Sequence, residues 1–178
     1  MRRLIEISKE ADVFPKFKNT PIGDLLEYHN LNKKYIEYDK AEILIGMCMD
    51  YRLKIKHPDK FAFVIRTGGA NLRYSEFNVS YAISVGKINY IAIIGHNNCA
   101  MVNLPDRKEL FTEGLVEGGW DKFYAENHFF SLSPMHEISN EIDFTISEVQ
   151  RLRNRYPNVC VAPLLYNVDN HKLYQIEE

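Results

Sequence analysis

Short, continuous apolar segments that alternate with amphipathic ones are the feature that most constrains the fold of this chain. The segments read AEILIGM (41–47), KFAFVIR (60–66), NYIAIIG (89–95) and NVCVAPLLYNV (158–168). Each has the length of a strand and is apolar at successive positions, which is typical of a strand covered on both faces. A chain that alternates such strands with helices forms a mainly parallel sheet with helices on both faces. The sequence therefore predicts an α/β fold.

The clearest helix is predicted over residues 135–155. Ser133 and Pro134 precede this segment and Pro157 follows it, as expected at the two ends of a helix. The preceding stretch, 103–134, is rich in Gly, Pro, Asp and aromatic residues and predicts a partly helical, irregular region. Apolar residues of the predicted helix recur at three- and four-residue steps, as one buried helix face requires: Ile138, Ile142, Ile146, Val149 and Leu152.

Two further helices are predicted, over residues 20–35 and 76–88. Thr20 suits the N-cap of the first and Pro21 suits its first turn. Residues 1–38 are therefore expected to form an N-terminal helical arm.

At the other end of the chain, the segment HKLYQIE (171–177) follows a turn at 169–170 and predicts a C-terminal edge strand that forms a hairpin with the strand before it. No internal repeat or linker divides the sequence. We therefore expect a single domain over residues 1–178, of which residues 39–178 form the core.

The composition argues against several classes of function. The net charge of −2 lacks the basic excess of a nucleic-acid-binding protein. No apolar run approaches the roughly 20 residues that span a bilayer, and we read no secretory signal at the N-terminus. The three cysteines are an odd number and form no dense disulfide framework. We expect a cytoplasmic protein with free thiols, and neither nucleic acid nor membrane as a partner.

Three reactive side chains follow at two-residue steps where the first predicted strand ends: Cys48, Asp50 and Arg52 in IGMCMDYRL (45–53). Alternate residues of an extended chain point to the same side. Arg52 can therefore hold the Asp50 carboxylate in a two-pronged pair, which orients the carboxylate and keeps it ionised. The alternative interpretation is an ion pair with a purely structural role.

A second group of polar residues follows the third predicted strand, in GHNNCAM (95–101). His96 and Cys99 stand three residues apart, about one helical turn, so that both can face one point. Ligands of such sheets gather at the carboxyl ends of the strands, where we expect Cys48 to join them. Two thiolates and one imidazole suit tetrahedral Zn²⁺, and three protein ligands leave the open fourth position of a catalytic site. The alternative is a structural site that Asp50 closes.

The order of three motifs makes the sequence similar to the β-class carbonic anhydrases. The motifs are CMDYR (48–52), VIRTGGA (64–70) and GHNNCAM (95–101). They stand where that family carries C-x-D-x-R, a V-I-R-N-A-G-like segment and G-H-x-x-C-G. The resemblance covers roughly residues 40–176.

The resemblance implies that Cys48, His96 and Cys99 bind zinc and that Asp50 and Arg52 form a catalytic carboxylate–guanidinium dyad. Zinc-bound hydroxide would attack CO₂, and water would then displace the bicarbonate product. Asp50 would either accept a hydrogen bond from that hydroxide or occupy the fourth zinc position in a closed resting form.

The resemblance also implies that the backbone around Gly69 lines the substrate pocket. Tyr51 stands where the family commonly has serine, so that its ring is expected to narrow the entrance. Thr67 and Gly68 replace the common Asn-Ala, and Ala100 replaces the glycine after the second cysteine. These departures remove no metal ligand, but they mean that the motifs do not specify the substrate.

Three hypotheses follow from the motifs and their departures. The first is reversible hydration of CO₂ by a zinc enzyme. In the second hypothesis the same zinc site acts on carbonyl sulfide or carbon disulfide. In the third, the protein is a non-catalytic zinc-binding relative. Members of the family form homodimers or higher homo-oligomers, often with an N-terminal arm around the partner, which would give residues 1–38 a role. Cys160 has no ligand-spaced neighbour and is interpreted as a core residue.

Overall fold

The computed structural model describes residues 3–178. Within this range the six strands β1 to β6 span, in chain order, Leu4–Glu6, Ile43–Cys48, Ala62–Thr67, Tyr90–His96, Cys160–Asn167 and Lys172–Ile176. The five α-helices α1 to α5 span Pro21–Asn30, Glu76–Ser84, Lys108–Glu117, Lys122–His136 and Glu141–Arg155.

All six strands form one sheet in the order β1-β6-β5-β4-β2-β3. The four strands from β2 to β5 run parallel to one another, β6 is antiparallel to β5, and β1 is antiparallel to β6. Gly46 of β2 lies opposite Ile65 of β3 and Ile93 of β4. The predicted α/β fold with a mainly parallel sheet is confirmed, and so is the C-terminal hairpin. β6 is not the outermost strand, however, because β1 pairs with its other edge.

Alternate residues of the parallel strands enter two separate cores. On one face, Ile45 and Ile94 pack with Leu25 and Leu26 of α1. On the other face, Leu44, Ile91 and Ile93 pack against α2 and α5 through Val79, Ala82, Val149 and Leu152. Burial on both faces explains why β2, β4 and β5 are apolar at successive positions. The prediction that β3 is also covered on both faces is wrong, because β3 is the last strand of the sheet and its residues are half-buried or exposed.

The N-terminal arm begins with residues 1–2, which lie outside the described part. Helix α1 starts as predicted, with Pro21 in the first turn and the Thr20 hydroxyl accepting a hydrogen bond from the Gly23 N–H at 3.4 Å. The helix ends at Asn30, earlier than the predicted residue 35. Its apolar face packs on the core of its own chain, as shown by the complete burial of Ile22, Leu25 and Leu26.

The predicted helix over residues 135–155 is wrong at its start. Pro134 lies inside α4, which ends at His136, and α5 begins after Asn140. The Asn140 side chain caps α5 by accepting a hydrogen bond from the Asp143 N–H at 2.8 Å. Ile138 lies in the connection, where it is buried and its N–H donates to the Met101 carbonyl at 3.0 Å. Its burial therefore continues the apolar periodicity across a break in the helix.

The region 103–134 is more helical than predicted, because α3 and α4 fill most of it. No helix within residues 3–178 has the length and apolar character needed to cross a membrane.

Candidate metal centre

Cys48 and His96 are the last residues of the neighbouring parallel strands β2 and β4. Cys99 follows in the turn after β4. The potential ligand atoms of these three residues lie within 4.8 Å of one another, and the Cys48 and Cys99 Sγ atoms are 4.0 Å apart. All three side chains are buried, and both cysteines are free. The structure thus brings together the three residues that the sequence predicted to be ligands.

The orientation of His96 leaves one ring nitrogen directed at this cluster. Nδ1 lies 2.9 Å from the Asn97 carbonyl oxygen. Because a carbonyl can only accept, Nδ1 carries a proton, and in the neutral ring the lone pair is then on Nε2. Nε2 is buried and has no hydrogen-bond partner in the described protein. A buried polar atom without a partner is costly, and a metal ion bound there would remove the cost.

The pKa values of the two thiols are shifted in opposite directions. The adjacent Cys99 thiol lowers the pKa of Cys48 to about 4, with help from the backbone N–H groups of Asp50 and Gly69 and against the effect of burial. Cys48 in turn raises the pKa of Cys99, because a second thiolate at this distance is repelled and desolvated. Two sulfur donors and one imidazole nitrogen are a donor set that can hold a metal ion of the zinc type.

Asp50 and Arg52 form a close pair beside the cluster. Asp50 Oδ1 accepts hydrogen bonds from the Arg52 backbone N–H and from Nε, both at 2.9 Å, and Oδ2 accepts from Nη2 at 2.7 Å. The Arg52 guanidinium lowers the pKa of Asp50 to about 2, although partial burial opposes this. Asp50 Oδ2 lies 3.9 Å from His96 Nε2. An ionised, oriented carboxylate therefore faces the same point as the potential ligand atoms.

Two residues that support the site were missed by the sequence analysis. Arg66, at the end of β3, donates to the Cys48 carbonyl at 3.1 Å and to the Asp50 carbonyl at 2.7 Å. Glu141, the first residue of α5, accepts a hydrogen bond from the Cys99 N–H at 3.0 Å. The signal for Arg66 was a charged residue at the end of an otherwise apolar strand. Nothing in the sequence marked Glu141 as a site residue, since acidic residues are common in the first turn of a helix.

Tyr51 and Gly69, which were expected to line the pocket, occupy very different surroundings. The Tyr51 side chain is 86% exposed and lies at the protein surface. Gly69 is buried with φ of 63°, and a Cβ atom there would lie 3.0 Å from Ile138 Cγ2. Glycine suits this position because most L-residues are strained at positive φ.

An apolar cavity of about 310 Å³ is lined by Met49 and Met101, which are close in sequence to Cys48 and Cys99, and by Gly68. Residues of α3 and α4, among them Phe111 and Phe129, also line it, whereas none of the three cluster residues does. A second cavity of about 390 Å³ involves residues 35–39 and 58–60, which precede β3, and is therefore at the other end of the sheet.

Solved structures with the same fold are mostly β-carbonic anhydrases. The enzyme isoform I from Trichomonas vaginalis is 21% identical with a TM-score of 0.63, over 82% of this chain and 89% of that one. The carbonic anhydrase from Glaciozyma antarctica is 20% identical with a TM-score of 0.59, over 76% and 83% of the two chains. A carbon disulfide hydrolase in its apo form is 16% identical with a TM-score of 0.56, over 75% and 77%.

No protein-family model and no curated protein matches the sequence. The protein has the fold of the β-carbonic anhydrases and carries a Cys–His–Cys cluster at the carboxyl edge of its sheet. The resemblance inferred from the three sequence motifs is thereby confirmed at the level of the fold.

Proposed function

We propose that this protein is a zinc-dependent carbonic anhydrase that hydrates CO₂ reversibly to bicarbonate. One observation carries the proposal: a carboxylate fixed by an arginine, Asp50 with Arg52, lies beside the Cys–His–Cys cluster. The fold shared with carbonic anhydrases supports it.

The residues that would hold the zinc ion are Cys48, His96 and Cys99. A zinc ion supplies Lewis acidity, which lowers the pKa of a bound water to about 7. The hydrogen bond from His96 Nδ1 to the Asn97 carbonyl fixes the tautomer and the ring plane of this ligand. The depressed pKa of Cys48 favours the thiolate that a metal ligand must be.

The role proposed for Asp50 is to accept a proton or a hydrogen bond from the reacting water. Both of its oxygens are held by Arg52, so that its orientation is set before substrate arrives. Arg52 is itself oriented by the Asn98 carbonyl, which accepts from Nη2 at 2.9 Å. Because Asn98 precedes Cys99, this hydrogen bond connects the Asp50–Arg52 pair to the turn that carries Cys99.

Metal analysis combined with stopped-flow CO₂ hydration tests the proposal. We expect one zinc ion per chain and hydration that increases toward alkaline pH. Stoichiometric zinc without hydration, even at alkaline pH where Asp50 should be free of the metal, would instead indicate a non-catalytic zinc-binding relative.

A second candidate function is the hydrolysis of carbonyl sulfide or carbon disulfide at the same site. The apolar cavity lined by Met49, Gly68 and Met101 is compatible with it, since carbon disulfide and carbonyl sulfide are weakly polar molecules. The carbon disulfide hydrolase among the structural neighbours has the same fold. Rates measured on all three substrates separate the candidates, and a preference for CO₂ over both sulfur compounds would reject the second.

We also propose that two copies of the chain associate through β3. This strand has a described partner on one edge only, and Phe63 and Val64 are 40% and 45% exposed. Phe77 and Tyr81 of helix α2 and Val85, which follows the helix, continue the apolar surface, and all three are exposed. Analytical ultracentrifugation of the wild type and of Phe77→Glu tests this, and a monomeric wild type at micromolar concentration would contradict it.

A further inference from the structure

Helix α5 contacts Cys99 and the nearby Leu72 through two carboxylates. Glu141 accepts the Cys99 N–H at 3.0 Å, and Glu148 accepts the Leu72 N–H at 3.1 Å. The two acids are seven residues apart, which is close to two turns, so they lie on the same face of the helix. That face contacts the Cys99 backbone and the segment that follows the Gly68–Ala70 turn.

The position of Glu141 relative to His96 is fixed by close packing. A Cβ atom at Gly95, the residue before His96, would lie 2.3 Å from Thr145 Oγ1 and 3.2 Å from the Glu141 carbonyl oxygen. Thr145 Oγ1 in turn donates to that carbonyl at 2.7 Å. The first turn of α5 therefore lies directly on the end of β4, and the Glu141 side chain ties the Cys99 backbone to the same strand end.

Glu148 acts on the Cys48 side indirectly, through the backbone of Leu72. Its side chain is completely buried and is held by Arg151, with contacts of 2.9 Å to both carboxylate oxygens, while Arg73 Nε lies 3.6 Å away. A buried carboxylate persists only with such partners, which leave little freedom for the oxygen that binds Leu72. Leu72 follows the 3-10 turn Gly68–Ala70, in which the Gly69 N–H faces the Cys48 sulfur.

We propose that Glu141 and Glu148 are positioning residues that set the spacing between Cys48 and Cys99, and thereby the affinity of the cluster for metal. Backbone atoms near ligands move when their hydrogen-bond partners are lost, and outer partners of this kind contribute about 10- to 100-fold in metal affinity. The inference rests on the proposed function only in taking the cluster as a zinc site, and it requires no CO₂ chemistry.

The test is zinc affinity, measured by competition with a chromogenic chelator, together with the visible spectrum of the cobalt-substituted protein. We expect Glu141→Ala to weaken zinc binding about 10-fold or more and to alter the cobalt spectrum. Glu141→Gln should remain close to the wild type, because its amide oxygen still accepts the Cys99 N–H. Glu137→Ala, which removes an exposed acid four residues before Glu141, is the matched control and should change neither measurement.

Glu148→Ala tests the second arm, because it removes the oxygen that accepts the Leu72 N–H, and we expect weaker zinc binding there as well. If this variant does not fold, the Glu141 variants still decide the proposal, because Glu141 is only partly buried. A purely structural role would lower the urea midpoint of the metal-free protein without changing zinc affinity or the cobalt spectrum.

Zinc affinity of Glu141→Ala within twofold of the wild type, with an unchanged cobalt spectrum, would overturn the proposal. A wild type that binds zinc but hydrates no CO₂ would overturn the proposed function alone. A wild type that binds no zinc would overturn both.

Discussion

The Asp50 carboxylate accepts three hydrogen bonds from a single residue, Arg52, through the backbone N–H, Nε and Nη2. The guanidinium lowers the pKa of Asp50 to about 2, and without it this pKa would return toward about 4. Both values lie well below neutral pH. The main contribution of Arg52 at neutral pH is therefore the orientation of the carboxylate, and its effect on ionisation is secondary.

Arg52→Ala should consequently lose CO₂ hydration by roughly 100-fold or more while it retains zinc. Arg52→Lys should lose most of the activity too, because an ammonium cannot reproduce the two-pronged contact. Stopped-flow kinetics and metal analysis check both variants. Lys54→Ala, an exposed cation two residues away, is the control, and an Arg52→Ala enzyme within a few-fold of it would contradict the prediction.

The three cysteines should differ sharply in their effect on metal binding. Cys48→Ser and Cys99→Ser each remove one of three proposed ligands, so we expect zinc binding to weaken by roughly two orders of magnitude or more. Cys160 lies on β5, outside the cluster, and burial raises its pKa. Cys160→Ser should therefore keep stoichiometric zinc. Equal zinc content in all three variants after dialysis would rule out the assigned ligands.

Two glycine-to-alanine changes should move stability in opposite directions. At Gly95 the new methyl group would meet Thr145 Oγ1 at 2.3 Å, and we expect a loss of about 1–3 kcal/mol in the free energy of unfolding. At Gly114, inside α3, no atom beyond the chain neighbours and the helix's own nearby backbone lies within 4 Å of the added Cβ, and alanine should add about 0.5–1 kcal/mol. Urea denaturation of both metal-free variants tests the pair. The packing argument fails if Gly95→Ala is as stable as Gly114→Ala.

His29 should make stability depend on pH. Its Nε2 donates to the His171 carbonyl at 2.9 Å and its Nδ1 accepts the Lys56 N–H at 3.1 Å, so that only the neutral ring fits. Burial lowers the pKa of His29 to about 4. The unfolded chain, with a pKa near 6.5, takes up a proton first as the pH falls. Stability is therefore lost between about pH 6.5 and about pH 4, by about 2 kcal/mol at about pH 5.

Urea midpoints of the wild type and of His29→Gln at about pH 7.5 and about pH 5 measure this dependence. The variant should lose much less stability than the wild type between the two conditions. His128→Gln on α4 is the control and should keep the dependence of the wild type. The same loss in the wild type and in His29→Gln would show that another group is responsible.

The parallel part of the fold was predictable because each central strand is apolar at successive positions. The break between α4 and α5 was not, since Ile138 is buried in the connection and preserves the helical period without belonging to a helix. Pro134 marked an expected helix start but lies in the last turn of α4.

For the site, strand order placed Cys48 and His96 together, because parallel strands end at one edge, and the three-residue spacing from His96 placed Cys99 beside them. The contacts of Arg66 and Glu141 depend on how β3 and α5 pack against that edge. The surface position of Tyr51 likewise depends on the path of the turn after β2, which no local pattern in the sequence specifies.

The short strand β1, three residues long, covers the outer side of β6. The two ends of the sheet are thus unequal, because β1 offers little backbone for pairing while β3 offers a strand of six residues. If two copies join through β3 about a twofold axis, each uses its single long free edge. The association then stops at a closed dimer and cannot continue as a fibre. The unequal lengths of the two edge strands would thus prevent open-ended polymerisation.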